Sequence, residues 1–262
     1  MRSTAIRRTA VAATAVSLAL LVTACGGGSD SGSDSGSGDK GTDAKGKESA
    51  VKALTAAELE KAVLAQGDVK GHKITKVAAK DDISGDDIKV EKKACAPLIN
   101  ALMGVQVGEP AAFTKRTVVS EPKKGSMDKQ DGANAEDAFK AAFDITTTQL
   151  ALGSYDGKGA EESVAALRTA ATDCAGGFDF TAAGEKQKVS KITEEQVKGG
   201  EDAAAWTVEM GQGGEKVQLK LVAMRQGPSF ASFSSMNLAA MGGGEDFELP
   251  TAVVEAQAAK LA

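Results

Sequence analysis

The sequence predicts an α+β fold: a mainly antiparallel, twisted sheet flanked by a few helices, forming a single domain behind a signal peptide and a disordered linker. Three observations predict it. Strand-like runs follow one another in hairpin order through the C-terminal third, amphipathic helical stripes stand at the front and at the end, and no internal repeat is evident.

The first element is a targeting segment. Residues 1–9 hold Arg2, Arg7 and Arg8 and no acid, and residues 10–22 (AVAATAVSLALLV) are apolar apart from two small hydroxyls. That apolar core is too short to span a bilayer as a mature helix, which needs ~20 residues, and the pattern reads as a secretory signal peptide over residues 1–24. Val22-Thr23-Ala24-Cys25 resembles the bacterial lipobox. The resemblance implies that the Cys25 thiol receives a diacylglyceryl group, that cleavage falls before Cys25, and that acyl chains anchor the protein to the extracytoplasmic face of the cell membrane; two chains anchor stably where one binds marginally. Arg7-Arg8 is compatible with twin-arginine as well as general export.

Residues 26–50 (GGGSDSGSDSGSGDKGTDAKGKESA) contain no large apolar side chain. Nothing there offsets the entropy of ordering, so residues 25–50 are expected to be a lipid anchor followed by a flexible coil of roughly 25–30 Å root-mean-square span. The domain itself is expected over residues 51–262, about 210 residues and enough for one adequate core.

Charge and composition narrow the partners. The full chain carries a formal net charge of −5; removing Arg2, Arg7 and Arg8 from its 31 basic residues leaves 28 against 36 acidic, a net charge near −8. That average leaves no basic patch to compete for phosphate backbones and excludes nucleic acid as a partner. Trp206 and Tyr155 are the only aromatics besides eight Phe, so a carbohydrate-stacking surface has little to build on.

Thr55 followed three residues later by Glu58 forms a capping box that starts a helix running to about Gln66. Gly71–Ala79 alternates as a strand. The acidic stretch Asp81–Asp87 (DDISGDD) reads as a solvated turn and lacks the spacing of an EF-hand loop. Residues 94–104 form a helix with Cys95, Leu98, Ile99 and Leu102 on one face. A strand is expected near Ala112–Glu121, a charged loop to about Asp137, and a strand within Phe139–Gly153, where Thr146–Thr148 favours extended structure. Glu161–Cys174 is an amphipathic helix with Val164, Leu167, Ala171 and Cys174 on its apolar stripe. Strands follow at Lys186–Glu194, Ala203–Met210, Glu215–Gln226 and Ser229–Leu238, with Gly211–Gly214 as a hairpin turn. Pro250-Thr251 opens a last helix through Leu261.

With Cys25 lipidated, Cys95 and Cys174 are the remaining thiols, each on the apolar stripe of its own helix. Both therefore point into one core, and outside the membrane paired cysteines oxidise and stay oxidised. A Cys95–Cys174 disulfide is expected, the alternative being two unpaired buried thiols. A zinc site needs three or four ligands, and His72 is the only histidine.

"CAPLINAL" after a capped first helix, "ESVAALRTAATDC" and the strand-rich C-terminal third resemble the PknH-like extracellular sensor-domain family over about residues 52–262. That family occurs outside actinobacterial kinases and as stand-alone lipoproteins. The resemblance implies a twisted antiparallel sheet with two helices locked by the cysteines and a cleft for an unknown ligand. A second cysteine pair of the family's best-known member has no counterpart here, where the corresponding stretch is Ala203-Ala204-Ala205-Trp206-Thr207-Val208.

The sequence contains no nucleophile elbow, Walker loop, dinucleotide glycine fingerprint or zincin motif, so no catalytic residue, metal site or cofactor is assigned. His72 reads as a surface histidine. Arg225, before the Gly227-Pro228 turn, is a candidate for contact with an anionic ligand, against the plainer reading of a sheet-edge arginine. The function expected is a membrane-anchored ligand-binding or sensor module of the cell envelope, with an unknown small molecule, lipid or envelope protein as partner. The alternative is an envelope hydrolase with an unrecognised carboxylate pair.

Overall fold

The computed structural model describes residues 51–122, 142–212, 215–241 and 246–262. The signal peptide, Cys25, the linker, the charged loop to Asp137 and the tip of the Gly211–Gly214 turn lie outside the described residues. The described residues belong to one compact unit, Lys47–Ala262.

Among the described residues nine strands form one sheet: β1 (His72–Lys76), β2 (Ile88–Val90), β3 (Ala112–Ser120), β4 (Thr146–Ser154), β5 (Phe178–Ala182), β6 (Glu185–Glu195), β7 (Asp202–Gln212), β8 (Glu215–Gln226) and β9 (Ser229–Asn237). Their order is β1-β3-β4-β9-β8-β7-β6-β5-β2, and every neighbouring pair is antiparallel. The α+β class and antiparallel sheet read from the sequence are what the structure shows. Two strands escaped that reading. β5 is short and follows directly on a helix, and β2 is a three-residue edge strand behind the acidic stretch, which forms two 3-10 turns.

Four α-helices are described: α1 (Ala56–Ala62), α2 (Ala96–Leu102), α3 (Gly159–Asp173) and α4 (Thr251–Leu261). The capping box at Thr55 is present, Thr55 Oγ1 accepting from Glu58 N–H while Glu58 Oε2 accepts from Thr55 N–H. α1 stops at Ala62 rather than running to Gln66. The reason is a buried glutamine on α4: Gln257 donates to the Ala62 carbonyl and accepts from Leu64 N–H, taking the groups that another turn would have used. Gln66 is then free to cover the outer edge of β1, accepting from Ile74 N–H and donating to the His72 carbonyl.

The helices cover opposite faces of different halves of the sheet. α2 and α3 pack on one face of β5–β9, where Leu98, Ile99, Leu167 and Val164 meet Phe180, Val189, Val208, Trp206 and Leu221. Cys95 and Cys174 lie inside this core at disulfide distance, their Cα atoms 6.0 Å apart. α1 and α4 pack on the other face of β1, β3, β4, β9 and β8, with Leu59, Leu64, Val253 and Val254 against Leu150, Leu152, Val222, Met224 and Phe233. β8 and β9 are therefore buried on both sides. Beyond α1 and α4 that second face runs out into polar side chains, and there a cleft opens. Among the described residues no helix is long and apolar enough to cross a membrane.

Candidate functional site

The cleft of about 660 Å3 sits on the α1/α4 face where the apolar core ends. Its floor is a ladder of strand residues that point the same way as the core but carry oxygens. Register places Thr148 beside Ser235 and Thr146 beside Asn237, and this pairing satisfies the polar atoms locally. Thr148 Oγ1 and Ser235 Oγ are 2.7 Å apart, both side chains buried. Asn237 Nδ2 donates to Asp144 Oδ1 at 2.8 Å and to Thr146 Oγ1 at 3.0 Å, while its Oδ1 accepts from Ala239 and Ala240 N–H. Ser120 Oγ accepts from Thr146 N–H. A buried polar floor with its bonds made is rigid and costs little to keep, whereas an unsatisfied one would be expensive.

The opposite wall is the segment Asp246–Leu249 leading into the N-terminus of α4, whose N-cap is Pro250 and has no side-chain cap. What holds this strap to the sheet is Lys220. Its side chain is on β8, in register with Thr207, and only 1% of the residue is exposed. The ammonium donates to Glu195 Oε1 at 2.6 Å, Asp246 Oδ1 at 2.5 Å and Thr207 Oγ1 at 2.8 Å, and lies 5.7 Å from the centre of the Phe247 ring. Thr207 also donates to Glu195. Burial opposes the charged form of Lys220, but the hydrogen bonds to Asp246 and Glu195 outweigh it and hold the ammonium above the ordinary lysine range. Lys220 thus ties β6, β7 and the strap into one wall.

Four carboxylates (Glu121, Asp144, Asp246 and Glu248) and one imidazole, His72, line the cleft. His72 is half-buried at the rim, its Nδ1 3.0 Å from the Lys70 carbonyl oxygen. Arg225 is not in the cleft. Its guanidinium donates to Glu201 Oε2 at 2.5 Å, so the charge is engaged by a neighbouring carboxylate, which favours the plainer of the two readings over contact with an anionic ligand. The two acids that do converge, Glu195 and Asp246, accept from the same ammonium, an arrangement that gives the hydrolase alternative no support. Among the described residues no group of three or more His, Cys, Asp or Glu side chains is placed to hold a metal ion.

A second cavity, of about 650 Å3, lies between α2 and α3 beside Tyr155. The phenol donates to the Val107 carbonyl at 2.6 Å, and burial pushes its pKa up to about 12 despite the Ser163 hydrogen bond. This hydroxyl is a structural tie and not an acid poised to react.

Sequence reasoning placed Lys220 within the Glu215–Gln226 strand and gave it no role. The signal was one step further along: Leu221-Val222-Ala223-Met224 is a continuous apolar run, the mark of a strand buried on both faces. A lysine entering such a run must find partners inside.

No protein-family model matches the chain, and no curated protein matches it. Among solved structures the fold is similar to the extracellular domain of PknH from Mycobacterium tuberculosis, with a TM-score of 0.47 and 12% sequence identity over 80% of this chain and 98% of that one.

Proposed function

We propose that this chain is a lipid-anchored, extracytoplasmic lipoprotein whose domain is a ligand-binding or sensor module, with the cleft under the Asp246–Leu249 strap as its site. One observation carries the binding reading: a cavity of about 660 Å3 whose floor of Thr148, Ser235, Thr146 and Asn237 is buried or half-buried and hydrogen-bonded in place. Pre-formed concave sites with a few fixed polar groups are where small molecules bind. Glu121, Asp144 and Glu248 line the cleft beside Asp246, whose charge Lys220 offsets, and this acidic lining disfavours anions, so the ligand is a small polar molecule, neutral or cationic, that presents hydrogen-bond donors. The anchoring half of the reading rests on the Val22–Cys25 motif and the linker behind it.

Native mass spectrometry of the chain extracted from membranes in mild detergent tests both halves. The expected result is a defined small-molecule adduct that disappears when Ala239→Trp fills the cleft, together with release of Cys25→Ala protein from the membrane fraction. An adduct retained in the Ala239→Trp protein would place the ligand elsewhere. A Cys25→Ala protein that stays in the membrane at mature size would refute the lipid anchor.

A further inference from the structure

The net charge of the chain is negative, yet one sheet face gathers several lysines. Lys186, Lys188, Lys191 and Lys216 are all exposed. Strand register puts them on one face, the continuation of the α1/α4 face over β5–β7 and the start of β8, beyond the Val222–Met224 part of β8 that α4 covers. Asp179, Lys188, Gly211 and Lys216 form one row across four strands; Lys191, Glu209 and Gln218 form the next; Thr181 and Lys186 stand beyond. Gly211 leaves no side chain between Lys188 and Lys216, two strand spacings or about 10 Å apart. Two acids interrupt the row pattern, Asp179 opposite Lys188 and Glu209, whose Oε1 is 3.8 Å from Lys191 Nζ.

Lys191 is on this face because the strand departs from regularity. Val189 faces the α2/α3 core, so simple alternation would turn Lys191 toward that core too. The register shift between Val189 and Lys191 inserts Ser190 as an extra residue and rotates Lys191 outward, opposite Glu209. Ser190 Oγ donates to the Glu209 carbonyl across the irregularity. Bulges re-aim side chains in this way. The acidic average read from composition therefore hides a local basic surface.

We propose that this open sheet face is where the domain rests on an anionic bilayer, the lysines meeting lipid phosphates of the membrane to which Cys25 would tether it; the idea rests on the anchoring half of the proposed function. Over β5–β8 the face carries the four exposed lysines against Asp179 and Glu209, with Lys220 and Glu195 already paired to each other and Lys89 of β2 beside Thr181 at the edge, and it shows no large apolar or aromatic side chain, so it neither inserts into acyl chains nor stacks on bases or sugars. A plane of point charges complements a plane of headgroups. Each lysine near an anionic surface raises association roughly fivefold, so a net excess of two gives roughly 25-fold. That is too weak to recruit a free protein, and it becomes effective when a linker of roughly 25–30 Å span holds the domain at high local concentration.

The test uses the chain from Cys25 to Ala262, coupled through the Cys25 thiol to a maleimide lipid, with Cys95 and Cys174 buried away from the reagent. Vesicles of phosphatidylcholine alone are compared with vesicles containing phosphatidylglycerol, and the rate of amine labelling at each lysine is read by mass spectrometry. Lys186, Lys188, Lys191 and Lys216 should label severalfold more slowly on the anionic vesicles at low salt. The difference should vanish at high salt and in a K188E/K191E variant of unchanged melting temperature, while Lys73 on β1 labels equally on both surfaces. Equal labelling of the four lysines on both vesicle types overturns the proposal. Protection by soluble polyphosphate without protection on anionic vesicles also overturns it, in favour of a phosphate polymer. Because the coupling replaces biological lipidation, failure here leaves the lipid-anchor reading standing, and failure of that reading leaves this measurement interpretable.

Discussion

Replacing Lys220 by methionine keeps the length and apolar stem of the side chain and deletes its charge. Three acceptors then lose their donor at once: Glu195, Thr207 and Asp246. Breaking a fully buried ion pair by removing one partner costs about 3–5 kcal/mol. Here the acids left behind are not fully buried, with side chains 27% exposed at Glu195 and 77% at Asp246, so water relieves part of the loss. The expected destabilisation is about 2–3 kcal/mol, which for a unit of this size lowers the melting temperature by about 5–10 °C. Asp246→Asn removes only the exposed partner and should cost about 0–1 kcal/mol. The triple variant K220M/E195Q/D246N, which leaves no uncompensated charge, should recover most of the loss. Thermal denaturation followed by circular dichroism at pH 7 measures all three, and amide exchange across Asp246–Val253 reports release of the strap. If Lys220→Met melts within about 2 °C of the parent, the reasoning that Lys220 holds the cleft wall is refuted.

Two further outcomes follow from the packing. In unfolded, unreduced protein neither Cys95 nor Cys174 should react with a thiol reagent, and Cys95→Ser should cost about 2–5 kcal/mol; reaction of Cys95 and Cys174 in that assay would show that they are unpaired. Glu60 accepts hydrogen bonds from Lys76, Thr114 and Arg116, which outweigh burial and lower its pKa to about 2. A carboxylate depressed in the folded state stabilises above its unfolded value of 4.5 and loses that contribution as pH falls from there toward about 2. Glu60→Gln should therefore flatten the fall in melting temperature across that acid window, and an unchanged slope would count against the Glu60–Arg116–Lys76 cluster as a source of acid sensitivity.

The local instructions are legible along the chain. Thr55 and Glu58 announce a helix start because a capping box is satisfied within four residues. The stripes of Cys95/Leu98/Ile99/Leu102 and Val164/Leu167/Ala171/Cys174 announce two helices sharing a core because helical period alone puts those side chains on one side. The β7–β8 hairpin is legible because its alternation and its turn lie next to each other in sequence. Period and propensity report which way a side chain points, and they are silent about what lies there. Only the tertiary structure seats β9 between β4 and β8, and that placement buries Ser232, Ser234, Ser235 and Asn237, which sequence composition would send to the surface. It decides that Gln257, far along the chain, ends α1. It turns Lys220 inward to two carboxylates and Lys191 outward through a bulge. The cleft is a product of pairing between distant segments, Thr146 with Asn237 and Thr148 with Ser235, and no short window of sequence contains both partners of such a pair. The basic face comes from successive strands, and there the register and the bulge at Ser190 decide which lysines share a side.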